Sequence, residues 1–246
     1  GKHPKRLTDI RVKESTKAAK TLGFDYQLLT DINGNTFPDG DLQITRATKG
    51  AVWAAIRNFQ PDLLITLPVN DISDSFGMHN DHTNVGEIVK RIAYLIPAPF
   101  AFREYYSSQQ LETVDDNAPV PYIKPPIIVT THDGYSGQID PDLVIDISDT
   151  IDVKVESYAK HVSQVQEWLP WIGCTSVPQG LDDLRERLLT NSNRLIRKLN
   201  LPKGIYEAFT ITAWGAIPTI EDIKTFFPGD VFDYQLAHKK ITEQFQ

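Results

Sequence analysis

The sequence is poor in the features that mark several large classes of protein. Its single cysteine, Cys174, excludes an internal disulfide and a cysteine-based zinc cluster, and it fits a reducing compartment. No apolar run approaches the ~20 residues of a membrane-spanning helix, and Lys plus Arg number 25 against 32 Asp plus Glu. Such a chain lacks the positive surface that a nucleic acid backbone requires. We therefore expect no membrane span, no nucleic acid partner and a cytoplasmic location.

An initiator methionine is also lacking. Residue 1 is Gly1, and the single methionine is Met78. We therefore expect that the natural protein has residues upstream of Gly1 and that any targeting segment lies among them.

What is present is the composition of an ordinary globular protein. The 246 residues are 41% hydrophobic and 23% charged, with 14 Gly and 16 Pro. These values exclude a disordered or collagen-like chain. The length suits one large α/β domain or two small ones, and there is no internal repeat or sharp change of composition. We predict one domain over residues 1–246.

Helical and strand patterns alternate along the chain. Apolar residues recur at i, i+3, i+4 and i+7, most clearly over residues 85–96, and continuous apolar runs suggest strands buried on both faces. Helices are predicted over 8–22, 45–58, 85–96, 151–168 and 181–198, and strands over 24–29, 63–67, 127–130 and 143–147. A late apolar stretch, 206–214, remains unassigned. The alternation predicts a mostly parallel sheet with helices on both faces.

In such folds the working site lies at the carboxyl ends of the strands, which directs attention to the polar loop after Leu67. That loop contains His79-Asn-Asp-His82. A hydrolytic zinc site takes three protein ligands and leaves one position for water, so one imidazole could bind metal while the other faces a substrate. Asp81 could orient a neighbouring imidazole. The spacing alone favours the simpler interpretation, in which the histidines only cap or decorate the start of the following helix, because His-x-x-His in a loop is a pattern of low specificity.

Further motifs accompany this one in a consistent order. They are Arg11-x-x-Glu14 with Ala18-Ala19 and Leu22-Gly23, Phe37-Pro-Asp-Gly-Asp-Leu42, Pro61-Asp-Leu-Leu-Ile-Thr66, Asp146-Ile-Ser-Asp149, Lys154, His161-Val-Ser-Gln164 and Glu207-Ala-Phe209. Together with the histidine motif, in which Asn80 replaces a proline, they resemble the zinc-dependent N-acetylglucosaminyl deacetylases of the PIG-L and LmbE type. The resemblance implies the Rossmann-like α/β fold of that family.

One family motif has no counterpart. Family members open with a strand ending in His-Pro-Asp-Asp-Glu, which gives a histidine and an aspartate to zinc and a second aspartate as general base. His3-Pro-Lys-Arg6 does not replace it, because its acidic positions are basic and it lies too close to Arg11 for an opening strand and helix, a unit of roughly 30 residues. We expect this segment upstream of Gly1, as a strand packed beside the one ending at Leu67.

The resemblance implies a zinc-dependent hydrolase that removes the N-acetyl group, a linear amide, from an N-acetylglucosamine-type sugar or conjugate. By the same resemblance His82 binds Zn²⁺, and His79 stabilises the oxyanion or protonates the leaving amine, with Asp81 as its carboxylate partner. Arg11 is the expected substrate-binding arginine. Asp39 is a further candidate for substrate binding, although Pro-Asp-Gly is first of all a turn signal.

The remaining histidines and tryptophans are secondary candidates. We interpret His161, with Ser163 and Gln164, as a tie between a helix and the sheet, His132 as a residue placed near the pocket, and His238 as surface. Three tryptophans could stack on a sugar face or simply lie in the core; they are Trp168, Trp171 and Trp214.

Two other functions are known for α/β folds of this kind and bear on this sequence. A non-catalytic carbohydrate-binding relative would keep the fold without the first metal motif, whereas a nucleotide-binding protein is disfavoured because no Gly-x-Gly-x-x-Gly or P-loop motif follows a strand. The substrate loop at 107–126 cannot be placed from the sequence, and a homo-oligomer remains open.

Overall fold

In the computed structural model, residues 4–69, 79–106, 122–132 and 140–245 are described. The helices are α1 (Pro4–Leu22), α2 (Arg46–Phe59), α3 (Asn80–Ala93), α4 (Ile151–Ala159), α5 (Leu169–Ile172), α6 (Leu181–Leu199), α7 (Ile220–Phe226) and α8 (Gln235–Gln244). The strands are β1 (Leu63–Thr66), β2 (Ile127–Thr131), β3 (Leu143–Asp146) and β4 (Tyr206–Ile211), and a π-helical turn covers Ser163–Trp168.

The chain divides into two compact units. The first contains Gly1–Leu28 and Asp146–Glu207, and the second contains Leu29–Ile145 and Ala208–Gln246. We call them the helical unit and the sheet unit. The prediction of one domain over residues 1–246 stays a prediction.

The four strands form one sheet in the order β1-β2-β4-β3. β1 and β2 are parallel, with Leu63 opposite Ile127, and β4 is antiparallel to β2. Along β3 and β4 the hydrogen-bond partners run in opposite directions, from Asp142 N to Phe209 O and from Ile147 N to Ile205 O. Three strands therefore point one way and β4 points the other. The predicted α/β class is confirmed. Of the neighbouring strand pairs in the described sheet, only β1 and β2 are parallel, because the unassigned stretch supplies the reversed strand β4 between β2 and β3.

Helices cover both faces of the sheet, because successive residues of a strand point to opposite sides. Ile127 and Val129 belong to a cluster with residues of α7 and α8, including Ile223 and Ile241. Ile128, between them, packs against residues of α2 and α3 instead. The predicted arrangement of helices on two faces is confirmed within the sheet unit.

The helical unit is built around α1, α4 and α6, with Ala18 and Ala19 buried on α1. Here one helix was predicted over residues 151–168, and that prediction is wrong, because α4 ends at Ala159. Ser163 donates its backbone N–H to Glu14 Oε1 at 2.8 Å and its hydroxyl to Glu14 Oε2 at 2.7 Å. An N–H bonded to a side chain cannot bond the carbonyl four residues earlier, so the helix is interrupted.

Two strand predictions also need correction. Residues 24–29 form no strand, and Phe24, Tyr26 and Leu28 are exposed. β1 is not buried on both faces, since Ile65 is about half exposed, and β1 is the terminal strand of the described sheet. The expected additional strand beside β1 stays a prediction.

Three shorter helices were not predicted, namely α5, α7 and α8. Among the described residues, no helix combines the length and apolar character needed to cross a membrane.

A mostly buried ion pair connects α8 to the sheet. Lys240 Nζ lies 2.7 Å from Asp142 Oδ2, and the same oxygen accepts the N–H of Ile211 at 2.7 Å. Burial raises the pKa of Asp142, and its bonds to Lys240 and Ile211 oppose that increase. The carboxylate is thus tolerated in the fold only because these donors satisfy it.

Replacing Lys240 by Met should lower the free energy of unfolding at neutral pH by about 3 kcal/mol, because it leaves a buried carboxylate without its cation. Loss of the cation raises the folded-state pKa of Asp142 further above its unfolded value. Folding then favours the protonated carboxyl, so the deficit should shrink as the pH falls from 7 toward that raised pKa. Urea unfolding at several pH values measures this. Lys239→Met, on the exposed side of α8, is the matched control, and equal losses in both variants would contradict the prediction.

Candidate active site

The histidine motif is itself the beginning of α3. His79 is the N-cap residue, and its carbonyl accepts the N–H of His82 at 3.0 Å. Its side chain also caps the helix, since Nδ1 accepts the N–H of Asp81 at 3.3 Å. Residues 70–78, which join β1 to this point, lie outside the described residues. The predicted helix over 85–96 therefore starts earlier, at the motif.

The two imidazoles lie side by side and face solvent. The ring centroids of His79 and His82 are 5.4 Å apart, with the planes inclined by 40°. Because Nδ1 of His79 accepts a hydrogen bond, we assign the proton of the neutral ring to Nε2. That N–H lies at the positive end of the α3 dipole.

Asp81 is hydrogen-bonded to a turn that is distant from it in the sequence. Its Oδ2 accepts the N–H of Gly40 at 2.7 Å, and its Oδ1 accepts the N–H of Leu42 at 2.9 Å. The distance from Asp81 Oδ2 to His79 Nδ1 is 3.9 Å, which exceeds a hydrogen bond. The contact of Asp81 with His79 is therefore electrostatic only, and its hydrogen bonds go to the Pro-Asp-Gly turn.

A second contact strengthens this connection. Asn84, one turn along α3, donates from Nδ2 to the carbonyl of Leu42 at 2.6 Å, whereas the corresponding bond from Asn80 is 3.4 Å long. Gly40 has a φ of +83°, a conformation that favours glycine. The turn signal in Pro-Asp-Gly is thereby confirmed, with Asp39 exposed beside it.

The start of α3 also packs closely on the chain leaving β1. A Cβ atom on Gly86 would overlap the carbonyl oxygen of Leu67. Only a glycine lets the helix approach the end of the strand this closely. The sequence carries a signal for each of these two residues, neither of which was predicted: Gly86 is a glycine inside a strongly patterned helix, and Asn84 lies one turn after Asn80.

Arg11 belongs to the helical unit, whereas the other predicted site residues belong to the sheet unit. Its Nε is buried and has no hydrogen-bond partner among the described residues. His161, partly buried, is electrostatically coupled to Arg11 and Glu14: burial lowers the pKa of His161, Glu14 raises it and Arg11 lowers it. Arg11 is thus part of a polar cluster with Glu14, His161 and Ser163.

Other motif residues also meet within the helical unit. Lys154 Nζ forms an ion pair with Glu207 Oε1. Asp146 Oδ1 accepts the N–H of Ser148 at 2.9 Å, and hydrogen bonds from Ser148 lower the pKa of Asp146. The tie predicted for the His161 segment is made by Ser163, and it reaches α1 rather than the sheet.

The secondary candidates fall into different environments. His132 follows β2, with its N–H bonded to Ala208 O, and His238 is exposed on α8 as predicted. Trp214 packs against a core cluster, whereas Trp168 and Trp171 are exposed. Most of the loop at 107–126 lies outside the described residues.

A zinc site requires several side chains whose ligand atoms converge on one point. Zinc in a hydrolase takes three protein ligands. Within the described part of the chain, no three His, Cys, Asp or Glu side chains come together in that way. The described residues therefore do not amount to a zinc site, and His82 can contribute one ligand at most.

Comparison with known proteins supports the resemblance. Residues 1–93 match the model of the PIG-L family, described as GlcNAc-PI de-N-acetylase. This region includes Arg11, the Pro-Asp-Gly turn and the histidine motif. A comparison with curated proteins finds no similar sequence.

Several solved structures share the fold. The conserved protein TT1542 from Thermus thermophilus is 18% identical, with a TM-score of 0.52 over 86% of this chain and 76% of its own. N,N'-diacetylchitobiose deacetylase from Pyrococcus horikoshii is 21% identical, with a TM-score of 0.54 over 85% and 65%. GalB, the 4-carboxy-2-hydroxymuconate hydratase from Pseudomonas putida, is 13% identical, with a TM-score of 0.54 over 83% and 72%.

This chain covers 76% of the TT1542 chain and less than two thirds of the chitobiose deacetylase chain. The fold is nevertheless common to all three. The predicted resemblance is therefore confirmed: the chain is similar to the PIG-L family in the sequence of residues 1–93, and its fold is that of the LmbE and PIG-L type proteins.

Proposed function

We propose that this protein hydrolyses the N-acetyl group of an N-acetylglucosamine-type sugar or conjugate, releasing acetate and a free amine. The observation that carries the proposal is the constellation at the start of α3, where His79 and His82 lie side by side and Asp81, between them in sequence, binds the Pro-Asp-Gly turn. The family match over residues 1–93 covers this constellation, and the family is described by an N-acetylglucosamine deacetylation. The chitobiose deacetylase supports the same class of substrate.

The fold by itself does not select this reaction. A hydratase shares it, and unrelated chemistries commonly occupy one fold. The proposal therefore depends on the side chains. His79 presents Nε2–H at the positive end of α3, where a hydrogen bond to the developing oxyanion of an acetamide would be strongest. In its protonated form, as an imidazolium, His79 can pass the Nε2 proton to the departing amine nitrogen and return to the neutral ring.

Asp81 is a positioning residue in this scheme. By accepting two backbone N–H groups from the turn at 40–42, it fixes the distance between that turn and the first residues of α3. Asp39, beside Gly40, is thereby held next to the histidine motif and is a candidate for substrate hydroxyl groups. Arg11 is a second candidate, because its planar guanidinium suits hydroxyl or phosphate groups and its Nε lacks a partner among the described residues.

We further propose that the reaction depends on a bound zinc ion. His82 is the ligand that we assign, and the other ligands would have to lie outside the described residues. When bound, the ion would polarise the amide carbonyl and activate water. A carbohydrate-binding relative without catalysis is the second candidate, favoured by the absence of three convergent ligands from the described residues. Acetate release distinguishes the two.

His79→Ala should lower kcat/KM for acetate release from N-acetylglucosamine conjugates by about 10²- to 10⁴-fold, the usual contribution of a general acid. Asp81→Asn should cost on the order of 10²-fold, because an amide cannot accept both N–H groups and the turn shifts. Both variants should retain a cooperative thermal unfolding transition. Acetate assays on the full-length natural protein measure this.

The control is Asn80→Pro. Asn80 is the first residue of α3, where proline is well tolerated, and Asn84 already bonds the Leu42 carbonyl. Its activity should stay near that of the parent protein. No acetate release from any N-acetylated amino sugar by the parent protein would exclude the proposed reaction.

Zinc content tests the metal assignment separately. The full-length natural protein should hold about one zinc ion per chain, the usual content of a one-metal hydrolytic site. His82→Ala should reduce that content at least tenfold, whereas His238→Ala, on the exposed side of α8, should leave it unchanged. Metal analysis after dialysis measures it. Equal zinc in the His82 variant and the parent would contradict the assignment of His82.

A further inference from the structure

An uncharged stretch of surface lies in the helical unit. From Trp168 to Leu181 the sequence has no Asp, Glu, Lys, Arg or His, although charged residues are 23% of the chain. Its large apolar side chains are exposed, Trp171 by 69%, Ile172 by 56% and Trp168 by 45%. We call this surface the tryptophan face; its members are Trp168, Leu169, Trp171, Ile172, Val177 and Leu181.

The tryptophan face is supported from beneath. Val165 is buried in a core cluster, and Ser163, two residues earlier, is bonded twice to Glu14. Pro170, between the two tryptophans, is buried, and its carbonyl accepts the N–H of Thr175 at 3.0 Å. The Trp168 and Trp171 rings lie 5.3 Å apart and 34° from parallel. These contacts fix the surface before anything binds, so little ordering entropy would oppose binding.

The size of the tryptophan face suits a protein partner. Taking 150–250 Å² for a large side chain, the exposed fractions correspond to roughly 600 Å² of apolar surface. Monomers seldom leave patches above a few hundred Å² uncovered. One side of a standard interface buries about 800 Å², including a polar rim. Asp182, Asp183 and Arg187 follow directly in the chain and can supply such a rim.

The distribution of charge indicates which kind of protein partner fits the tryptophan face. The chain carries a net charge of −7, so two copies repel each other over most of their surface. The tryptophan face carries no charge, and two copies can meet there without that cost. A polybasic or polyacidic partner would find no complementary group on it. We propose that two copies of this chain associate through their tryptophan faces, in a two-fold arrangement that pairs each face with itself.

Other occupants fit less well. A sugar-binding platform needs open ring faces with hydrogen-bonding groups around them, whereas these two rings contact each other and have Leu169 and Ile172 as neighbours. A membrane-surface helix carries Lys and Arg beside its apolar residues, and this stretch has none. The proposal is independent of the proposed reaction.

Sedimentation velocity over a range of concentrations tests it on the full-length protein. The parent should dimerise, and Trp171→Glu and Trp168→Ala should each weaken the dimer. Loss of a central tryptophan costs about 30-fold in affinity, and since each residue occurs twice in a two-fold dimer the dissociation constant should rise roughly 10³-fold. Phe59→Glu, an exposed aromatic at the end of α2, should leave the dimer intact.

The reactivity of Cys174 reports on dimerisation without any substitution in the tryptophan face. It is the only cysteine, it is exposed and it lies within the uncharged stretch. Maleimide labelling of Cys174 in the parent protein should slow as the concentration rises through the dimer range. Labelling of the Phe59→Glu variant should slow in the same way.

The proposal would be overturned by a parent protein that stays monomeric at about 100 μM. It would equally be overturned by tryptophan variants that dimerise like the parent, or by a rate of Cys174 labelling that does not change on dimerisation. Binding of the monomer, through Trp168 and Trp171, to phosphatidylcholine vesicles or chitin oligomers would also overturn it.

Discussion

The candidate site depends on one carboxylate. Asp81 stands in the first turn of α3, and its two oxygens receive the N–H groups of Gly40 and Leu42, about forty positions earlier in the chain. Without it, the turn that carries Asp39 would be connected to α3 chiefly through Asn84. An acidic residue is doubly suited to this place, because it bonds backbone donors and favours the positive end of the helix. The same contact leaves both imidazoles facing solvent.

The helical unit has an interaction of the same kind. Glu14 receives the N–H and the hydroxyl of Ser163, and this interrupts the helix that the apolar pattern suggests. The chain continues as the π-helical turn Ser163–Trp168, and Trp168 and Trp171 are exposed. In both units a buried or half-buried carboxylate therefore sets the local path of the backbone. Each one satisfies donors that regular secondary structure would otherwise have to satisfy.

The comparisons and the geometry contribute different parts of the functional conclusion. Similarity at 13–21% identity supports the fold, and one of the proteins that shares it is a hydratase. The family match over residues 1–93 points to deacetylation, and it covers the region in which the histidines, the turn and Arg11 occur. The site geometry adds a role that family resemblance did not supply: the hydrogen bonds of Asp81 go to the turn rather than to His79.

Local patterns determined much of this protein. The period of the apolar residues predicted α2, α3 and α6, because a 3.6-residue repeat of apolar side chains is itself the condition for burying one side of a helix. Continuous apolar runs predicted β1, β2 and β3. The order of short motifs placed the histidines at the start of a helix and Pro-Asp-Gly in a turn. Tertiary structure decided the rest. The direction of β4, the break after α4, the exposure of residues 24–29 and the bond from Asp81 to Gly40 all depend on which distant group satisfies a backbone donor or covers an apolar side chain. Local sequence patterns cannot predict these contacts, because the partner groups lie far apart along the chain.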